Sequence, residues 1–147
     1  MIANNEYGIY LFDVLNNNIR ANYIANNNQV IGIFADSQYN NIYYNNFISN
    51  SKQVKVDPSN VNVWDNNYPN GGNYWSDYIG IDANSDGIGD TPIVFDEWNQ
   101  DNYPLMEPTI QAIPDFAGWL IFPFLMLATF SVLVLRRRLE ETSISNF

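Results

Sequence analysis

An acidic loop in the second half of the chain has the residue types and the spacing of a calcium site. The predicted ligands are Asp82, Asn84, Asp86, the Ile88 carbonyl and Asp90. Calcium is held in proteins by carboxylate, amide and carbonyl oxygens, and Gly87 permits the sharp turn that the spacing requires. The glutamate that closes an EF-hand loop is replaced by Ile93. We therefore expect an isolated loop with a structural calcium ion, and the alternative is an Asx-turn loop with solvated carboxylates.

Aromatic residues around this loop could bind a sugar. The candidates for contact with cell-surface glycans are Trp64, Tyr74, Trp75 and Tyr78. Aromatic rings can stack on a pyranose, and the neighbouring aspartate and asparagine side chains can bind its hydroxyl groups. The alternative, which we favour, is that these rings close the end of a repeat structure and pack over its last coil.

The sequence gives little support for catalysis. Asp57, Asp65 and Asp77 could contribute to a glycosidase carboxylate pair, but they occur in no recognisable motif. No lysine or arginine lies between Lys55 and Arg136 to serve a polysaccharide lyase. The chain has no histidine and no cysteine, so it lacks the usual zinc and copper ligands and the usual general base. We expect that the chain is not an enzyme.

The charge balance argues against nucleic acid as a partner. The formal net charge is −10, with only six basic residues. Proteins bind nucleic acid mainly through its phosphate groups, which an acidic surface repels. The same surface charge would attract cations.

The first fifty residues repeat with a period of about 22 to 24 residues, which is typical of solenoids. Ile2-Ala3-Asn4-Asn5 recurs as Ile24-Ala25-Asn26-Asn27, and Tyr7-Gly8-Ile9 recurs as Ile31-Gly32-Ile33. Apolar residues alternate with polar ones between these segments, and this alternation predicts strands. The predicted fold is therefore all-β, a parallel β-helix forming a partial solenoid, with a loop-rich C-terminal cap and then a single transmembrane α-helix.

The β-helix prediction assigns particular side chains to the core and to the corners. The residues expected to point inward are Ile9, Leu11, Ile19, Ile24, Ile33, Ile42 and Phe47. Asparagines should adopt left-handed backbone angles at the corners, and asparagines in successive coils should form hydrogen-bonded ladders.

The repeats resemble the right-handed parallel β-helix repeats of archaeal and bacterial surface proteins, which include NosD-type proteins and carbohydrate-binding and sugar-hydrolase β-helix domains. The resemblance implies that the predicted parallel β-helix is right-handed. The resemblance rests on Tyr7-Gly8-Ile9-Tyr10-Leu11, Asn17-Asn18-Ile19, Asn22-Tyr23-Ile24 and Asn26-Asn27. Residues 64–106 resemble the segment that follows the last coil in archaeal members, through Gly71-Gly72-Asn73-Tyr74-Trp75-Ser76-Asp77-Tyr78 and Asp86-Gly87-Ile88-Gly89-Asp90. The resemblance implies an archaeal-style cell-surface β-helix. The NosD-type resemblance also raises copper handling, for which this chain lacks the usual ligands.

Residues 117–135 carry no charge, and Arg136, Arg137 and Arg138 follow directly. As a helix, about 19 residues span roughly 28 Å, close to the hydrocarbon thickness of a bilayer. This pattern predicts a single-pass protein in the cell membrane, with the arginines in the cytoplasm and residues 1–116 outside the cell. The alternatives are a buried core helix, and a processed sorting signal, since Pro114-Asp115-Phe116 is similar to an archaeal C-terminal signal.

The predicted organisation is β-helix coils at 1–56, an acidic aromatic cap at 57–108, a linker at 109–116, the membrane helix at 117–135 and a cytoplasmic tail at 136–147. The repeat begins in mid-coil, so we expect Met1 to be an internal start with coils missing upstream; otherwise a second chain covers the open coil. The predicted function is a membrane-anchored extracellular surface protein, structural or adhesive and calcium-stabilised. The alternatives are a carbohydrate-binding module and a polysaccharide hydrolase or lyase fragment.

Overall fold

The structure is a computed structural model that describes residues 1–109. The strands in these residues are β1 (Ile2–Ala3), β2 (Tyr7–Phe12), β3 (Asn18–Arg20), β4 (Tyr23–Ala25), β5 (Gln29–Phe34), β6 (Asn41–Tyr43), β7 (Asn46–Ile48), β8 (Lys52–Val56), β9 (Tyr74–Trp75), β10 (Ile93–Val94) and β11 (Gln100–Asp101). Within residues 1–109 there is no helix with the length and apolar character needed to cross a membrane. The membrane helix predicted at 117–135 and the tail at 136–147 lie outside the described residues.

Each strand of the coils pairs in parallel with the equivalent strand of the next coil. The three parallel sheets have the orders β1-β4-β7-β9, β2-β5-β8 and β3-β6. In the first sheet Ile2 lies opposite Ile24, and Phe47 lies opposite both Ile24 and Trp75. This stacking is the arrangement of a parallel β-helix and confirms the all-β, parallel-stranded part of the prediction. In the cap, β10 and β11 form an antiparallel hairpin.

The inward-pointing residues form one apolar core. Ile24, Ile33, Ile42 and Phe47 are buried as predicted. Their counterparts in the first coil are partly buried and pack against the same cluster; these are Ile9, Leu11 and Ile19. Because a fully buried aliphatic or aromatic side chain contributes about 1.5–3 kcal/mol, this stack is a main source of stability.

Three asparagine ladders run along the coils and confirm that prediction. In each ladder the backbone N–H and Nδ2 of one asparagine donate to Oδ1 of the asparagine in the next coil, at 2.9–3.3 Å. The first ladder contains Asn5, Asn27 and Asn50, the second Asn17, Asn40 and Asn62, and the third Asn22, Asn45 and Asn73. Every buried amide in a ladder therefore has partners.

The left-handed corners confirm the prediction in part. The residue with positive φ is the one before the ladder asparagine. It is an asparagine at Asn4, Asn16 and Asn26, as predicted, but at other corners it is not: Tyr39 has φ 57° and Tyr44 has φ 56°. A left-handed non-glycine residue costs about 1–3 kcal/mol and persists only where its surroundings hold it there. The ladder bonds of Asn40 and Asn45 fix these two corners, so a tyrosine can occupy them.

Candidate functional site

The second and third ladders end inside the cap. Asn62 N donates to Asn99 Oδ1 at 3.0 Å, and Asn73 N donates to Asp101 Oδ2 at 2.8 Å. Asn99 and Asp101 are fully buried and come from the hairpin of β10 and β11. The cap is therefore tied to the coils by the same hydrogen-bonding pattern that joins one coil to the next.

Two tryptophans complete these ladder ends. Trp64 Nε1 donates to Asn99 Oδ1 at 3.0 Å, and Trp75 Nε1 donates to Asp101 Oδ2 at 2.9 Å. Both side chains are 1% exposed. Trp75 extends the inward column of Ile24 and Phe47, so its ring is the last layer of the core.

Asp101 is a buried carboxyl group at the end of the third ladder. Burial raises its pKa to about 6, and hydrogen bonds from Trp75, Asn73 and Tyr103 oppose part of that rise. Its other oxygen, Oδ1, accepts from Tyr103 N at 3.2 Å. An asparagine at position 101 would place its amide NH₂ group, a donor, against this N–H donor. Gly72 allows this approach, because a Cβ there would overlap the carboxylate.

The four residues predicted to bind a sugar have different environments. The buried rings of Trp64 and Trp75 offer no free face, which supports the alternative that they close the solenoid. Tyr74 is half-buried, and so is Tyr78, whose hydroxyl donates to the Thr91 carbonyl at 2.8 Å. Sugar binding by the four residues stays a prediction, with exposed surface only on the two tyrosines.

The clefts among the described residues include two at the cap. The larger, of about 510 Å³, is mostly apolar and is lined by Trp75, Asp77, Tyr78 and Ile79, among others. The smaller, of about 360 Å³, is mostly polar and includes the exposed Trp98. Trp98 is not among the four aromatic residues that were singled out from the sequence for sugar contact.

The loop predicted to bind calcium is ordered by its own backbone. Asp82 accepts from Asp86 N at 3.1 Å and from Gly87 N at 2.8 Å, and Asp90 accepts from Ala83 N at 2.8 Å. Asp86 accepts from Ile88 N at 2.9 Å and from the Asn84 amide at 2.9 Å. The hydrogen bonds that Asp86 accepts hold its pKa below the usual value. The bond from the Ile88 backbone N–H makes the largest contribution, and the bond from Asn84 the next largest.

The carboxylates considered for catalysis also have structural partners. Asp57 accepts from Ala35 N at 3.1 Å. Asp65 is buried and accepts from Asn67 N at 3.0 Å and from Asn102 N and Nδ2 at 3.1 and 2.8 Å. Asp77 lies in the larger cleft.

Comparison with known proteins identifies relatives for the coils and the start of the cap. Residues 1–80 match the family model described as "Periplasmic copper-binding protein (NosD)". The chain is 37% identical over 91 residues to the probable ABC transporter binding protein NosD of Stutzerimonas stutzeri, covering 61% of this chain and 20% of that protein. It is 39% identical over 82 residues to the protein of the same description from Pseudomonas aeruginosa, covering 56% of this chain and 19% of that protein. No solved structure matches.

The comparisons correct the calcium prediction. The matching family is described as copper-binding, which points to copper rather than calcium, so the prediction of a structural calcium ion is wrong. The family match covers residues 1–80 and ends before the predicted ligands Asp82, Asn84, Asp86, Ile88 and Asp90. In the structure the oxygens of Asp82, Asp86 and Asp90 accept from the loop's own N–H groups. Among residues 1–109 no cluster of three or more His, Cys, Asp or Glu side chains is arranged to hold a metal.

The family resemblance inferred from the sequence is confirmed only for its NosD-type part. The relatives are bacterial NosD proteins, and the archaeal part of the prediction is not supported. The chain spans about a fifth of the length of these curated relatives. The family model covers more than half of the chain. The chain therefore belongs to the NosD family.

Proposed function

We propose that this chain forms the closed end of a NosD-type parallel β-helix outside the cytoplasm and has a structural role there. The observation that carries the proposal is the pair of ladders that end on Asn99 and Asp101 within the core. The cap thereby covers a coil edge that would otherwise expose backbone donors, acceptors and apolar side chains.

The copper named in the family description does not fit the donor set of this chain. Copper in proteins is held by imidazole, thiolate and thioether groups, and the chain has no histidine and no cysteine. Of its methionines in the described residues, Met1 is 90% exposed before β1, and Met106 lies in the cap. We assign no copper site to residues 1–109.

A calorimetric titration with copper(II) chloride and with copper(I) under reducing conditions tests this assignment. The expected result is no binding tighter than micromolar to the full chain in detergent. Stoichiometric nanomolar binding would show that the donor set has been misjudged.

The structural role predicts that the cap and the coils unfold together. Replacing both Trp64 and Trp75 by alanine removes the last core layer and both indole donors, so the far-UV circular dichroism of the whole β-helix should be lost at a lower temperature. Trp98→Ala is the matched control, because this tryptophan is exposed. Coils that keep their melting temperature in the double variant would contradict the proposal.

Membrane anchoring through 117–135 remains part of the proposal. The chain contains no cysteine, so single cysteines can report on sidedness. A membrane-impermeant maleimide should label Ser59→Cys, at an exposed position, in intact cells. It should label Ser143→Cys in the tail only after lysis. The reverse pattern would contradict the proposed orientation.

We also propose that the chain has no catalytic role, since Asp57 and Asp65 are engaged by backbone N–H groups. A polysaccharide hydrolase or lyase fragment would release reducing ends or unsaturated products. The expected result is neither product from neutral or acidic polysaccharides, and either product would reverse this part of the proposal.

A further inference from the structure

The smaller cap cleft, called the Trp98 cleft below, has the features of a small-molecule site. Its volume is about 360 Å³, and the residues used in the argument are Asp65, Asn67, Glu97, Trp98, Gln100 and Asn102. Protein pockets for small ligands have volumes of roughly 300–1,000 Å³ and combine apolar surface with a few placed polar groups. The lining of this cleft combines polar side chains with Val63, Trp64 and Trp98, and of the two tryptophans only Trp98 is exposed.

Trp98 is exposed but rigidly mounted. Its side chain is 58% exposed at the tip of the β10–β11 hairpin. Its backbone N–H donates to Asp96 Oδ1 at 2.8 Å, and Phe95 N donates to the Asn99 carbonyl at 2.9 Å across the turn. The next residue, Asn99, is the buried end of the second ladder. A ring held in this way can receive a ligand with little loss of backbone entropy.

Part of the polar side of the cleft is fixed in advance by hydrogen bonds among Asp65, Asn102 and Gln100. Asp65 Oδ2 accepts from Asn102 Nδ2 at 2.8 Å, and Asn102 Oδ1 accepts from Gln100 Nε2 at 2.6 Å. Within residues 1–109, the side-chain amide of Asn67, Gln100 Oε1 and the Glu97 carboxylate have no hydrogen-bond partner. These groups can donate to and accept from the hydroxyl groups of a ligand.

The charge of the cleft selects among ligands. Asp65 and Glu97 are acidic, and among residues 1–109 no lysine or arginine lines the cleft. A uronic acid or a sulfated sugar would bring a negative charge beside these carboxylates without a compensating cation. An uncharged, hydroxyl-rich ligand with one apolar face satisfies both the indole ring and the free amide and carboxylate groups.

We propose that the Trp98 cleft binds a neutral saccharide unit, which stacks on Trp98 and is hydrogen-bonded by Asn67, Gln100 and Glu97. This activity goes beyond the structural role. It uses the exposed side of the hairpin whose buried side closes the ladders, and neither proposal depends on the other.

Isothermal titration calorimetry of the full chain in detergent tests the proposal. The neutral probes are cellotetraose, xylotetraose and mannotetraose, and the acidic probe is tetragalacturonate. At least one neutral probe should bind in the millimolar range or tighter, and tetragalacturonate should bind more weakly. Trp98→Ala should lower the affinity at least about tenfold, as expected for loss of an aromatic anchor. Trp98→Phe keeps a ring face and should bind within a few-fold of the natural chain.

Tyr39→Ala is the matched control, because Tyr39 is 60% exposed on the coils and lies outside the cleft. It should leave the affinity unchanged. If Trp98→Ala lowers the melting temperature, Gln100→Ala serves as a second variant of the cleft. This variant should weaken saccharide binding several-fold. The proposal is overturned if none of the neutral probes binds, if tetragalacturonate binds best, or if the cleft variants bind as tightly as the natural chain.

Discussion

The indole nitrogen of Trp75 lies 2.9 Å from Asp101 Oδ2 and donates a hydrogen bond to it in the buried core. The contact joins the last inward layer of the coils to the last rung of the third ladder. Trp64 and Asn99 repeat the relationship at the end of the second ladder, at 3.0 Å. Two aromatic side chains of a type associated with ligand binding are thus used to close the β-helix.

Trp75→Phe should destabilise the protein by about 1–3 kcal/mol, because it keeps an aromatic ring but leaves the buried Asp101 with one donor fewer. The measurement is the midpoint of urea or thermal unfolding of the full chain. Trp98→Phe, at an exposed site, should shift the midpoint little. Equal shifts for the two variants would mean that the indole–carboxylate bond does not contribute.

Alanine substitutions in the third ladder should differ in cost with position. Asn45 is buried and bonds to Asn22, Asn73 and the backbone of two coils, so Asn45→Ala leaves several buried groups without partners and should cost at least about 3 kcal/mol. Asn22 is less buried and bonds on one side only, and Asn22→Ala should cost about half as much or less. Unfolding midpoints of the two variants give the comparison. A larger effect at Asn22 would contradict the ladder account.

Gly72→Ala should destabilise the cap by about 2 kcal/mol or more, since the new Cβ would overlap the buried Asp101 carboxylate. Gly87→Ala is the useful contrast. Its Cβ would meet nothing within 4 Å, but its φ of +86° makes alanine strained, so a cost of about 1 kcal/mol is expected. Thermal unfolding ranks the two, and a larger loss for Gly87→Ala would argue against close packing at Gly72.

Stability should depend on pH through Asp101. Its pKa is about 6 in the folded protein against 3.8 for an ordinary aspartate, so between these values the folded chain holds a proton that the unfolded chain has released. The stabilisation from this group is complete below about pH 4 and is lost as the pH rises through about 6, by at most about 3 kcal/mol.

Asp101→Asn removes the titrating group and is the variant to compare with the natural chain. The difference between their unfolding free energies should change across this pH interval and level off above it. A constant difference from pH 4 to 7 would contradict the raised pKa.

The coils could be predicted from the sequence because their signal is local and repeated. Asn22-Tyr23-Ile24 and Asn45-Asn46-Phe47 place a ladder amide two residues before an inward side chain. Asn73-Tyr74-Trp75 continues the pattern, and this signal would have assigned Trp75 to the core. In Asn40-Asn41-Ile42 the ladder asparagine also lies two residues before an inward side chain. Asn62-Val63-Trp64 repeats this spacing, which predicts that Trp64 lies in the core.

The ladder ends could not be read in this way. Asn99 lies 37 residues after Asn62, outside the repeat period, and Asp101 is not an asparagine. The acidic loop shows a second limit, because alternating oxygen side chains suit a cation and an Asx-turn loop equally well. In the structure Asp82 and Asp86 accept from backbone N–H groups, as they would in an Asx-turn loop.

The central claim is that the cap closes the β-helix. Hydrogen exchange of the tryptophan indole N–H groups, followed by NMR, tests this claim most directly. The claim predicts that the indole protons of Trp64 and Trp75 exchange only on unfolding, whereas that of Trp98 exchanges rapidly. Trp119 lies outside the described residues, and its signal can be assigned with Trp119→Phe. Exchange of the Trp64 and Trp75 protons as fast as that of Trp98 would show that the cap does not close the β-helix.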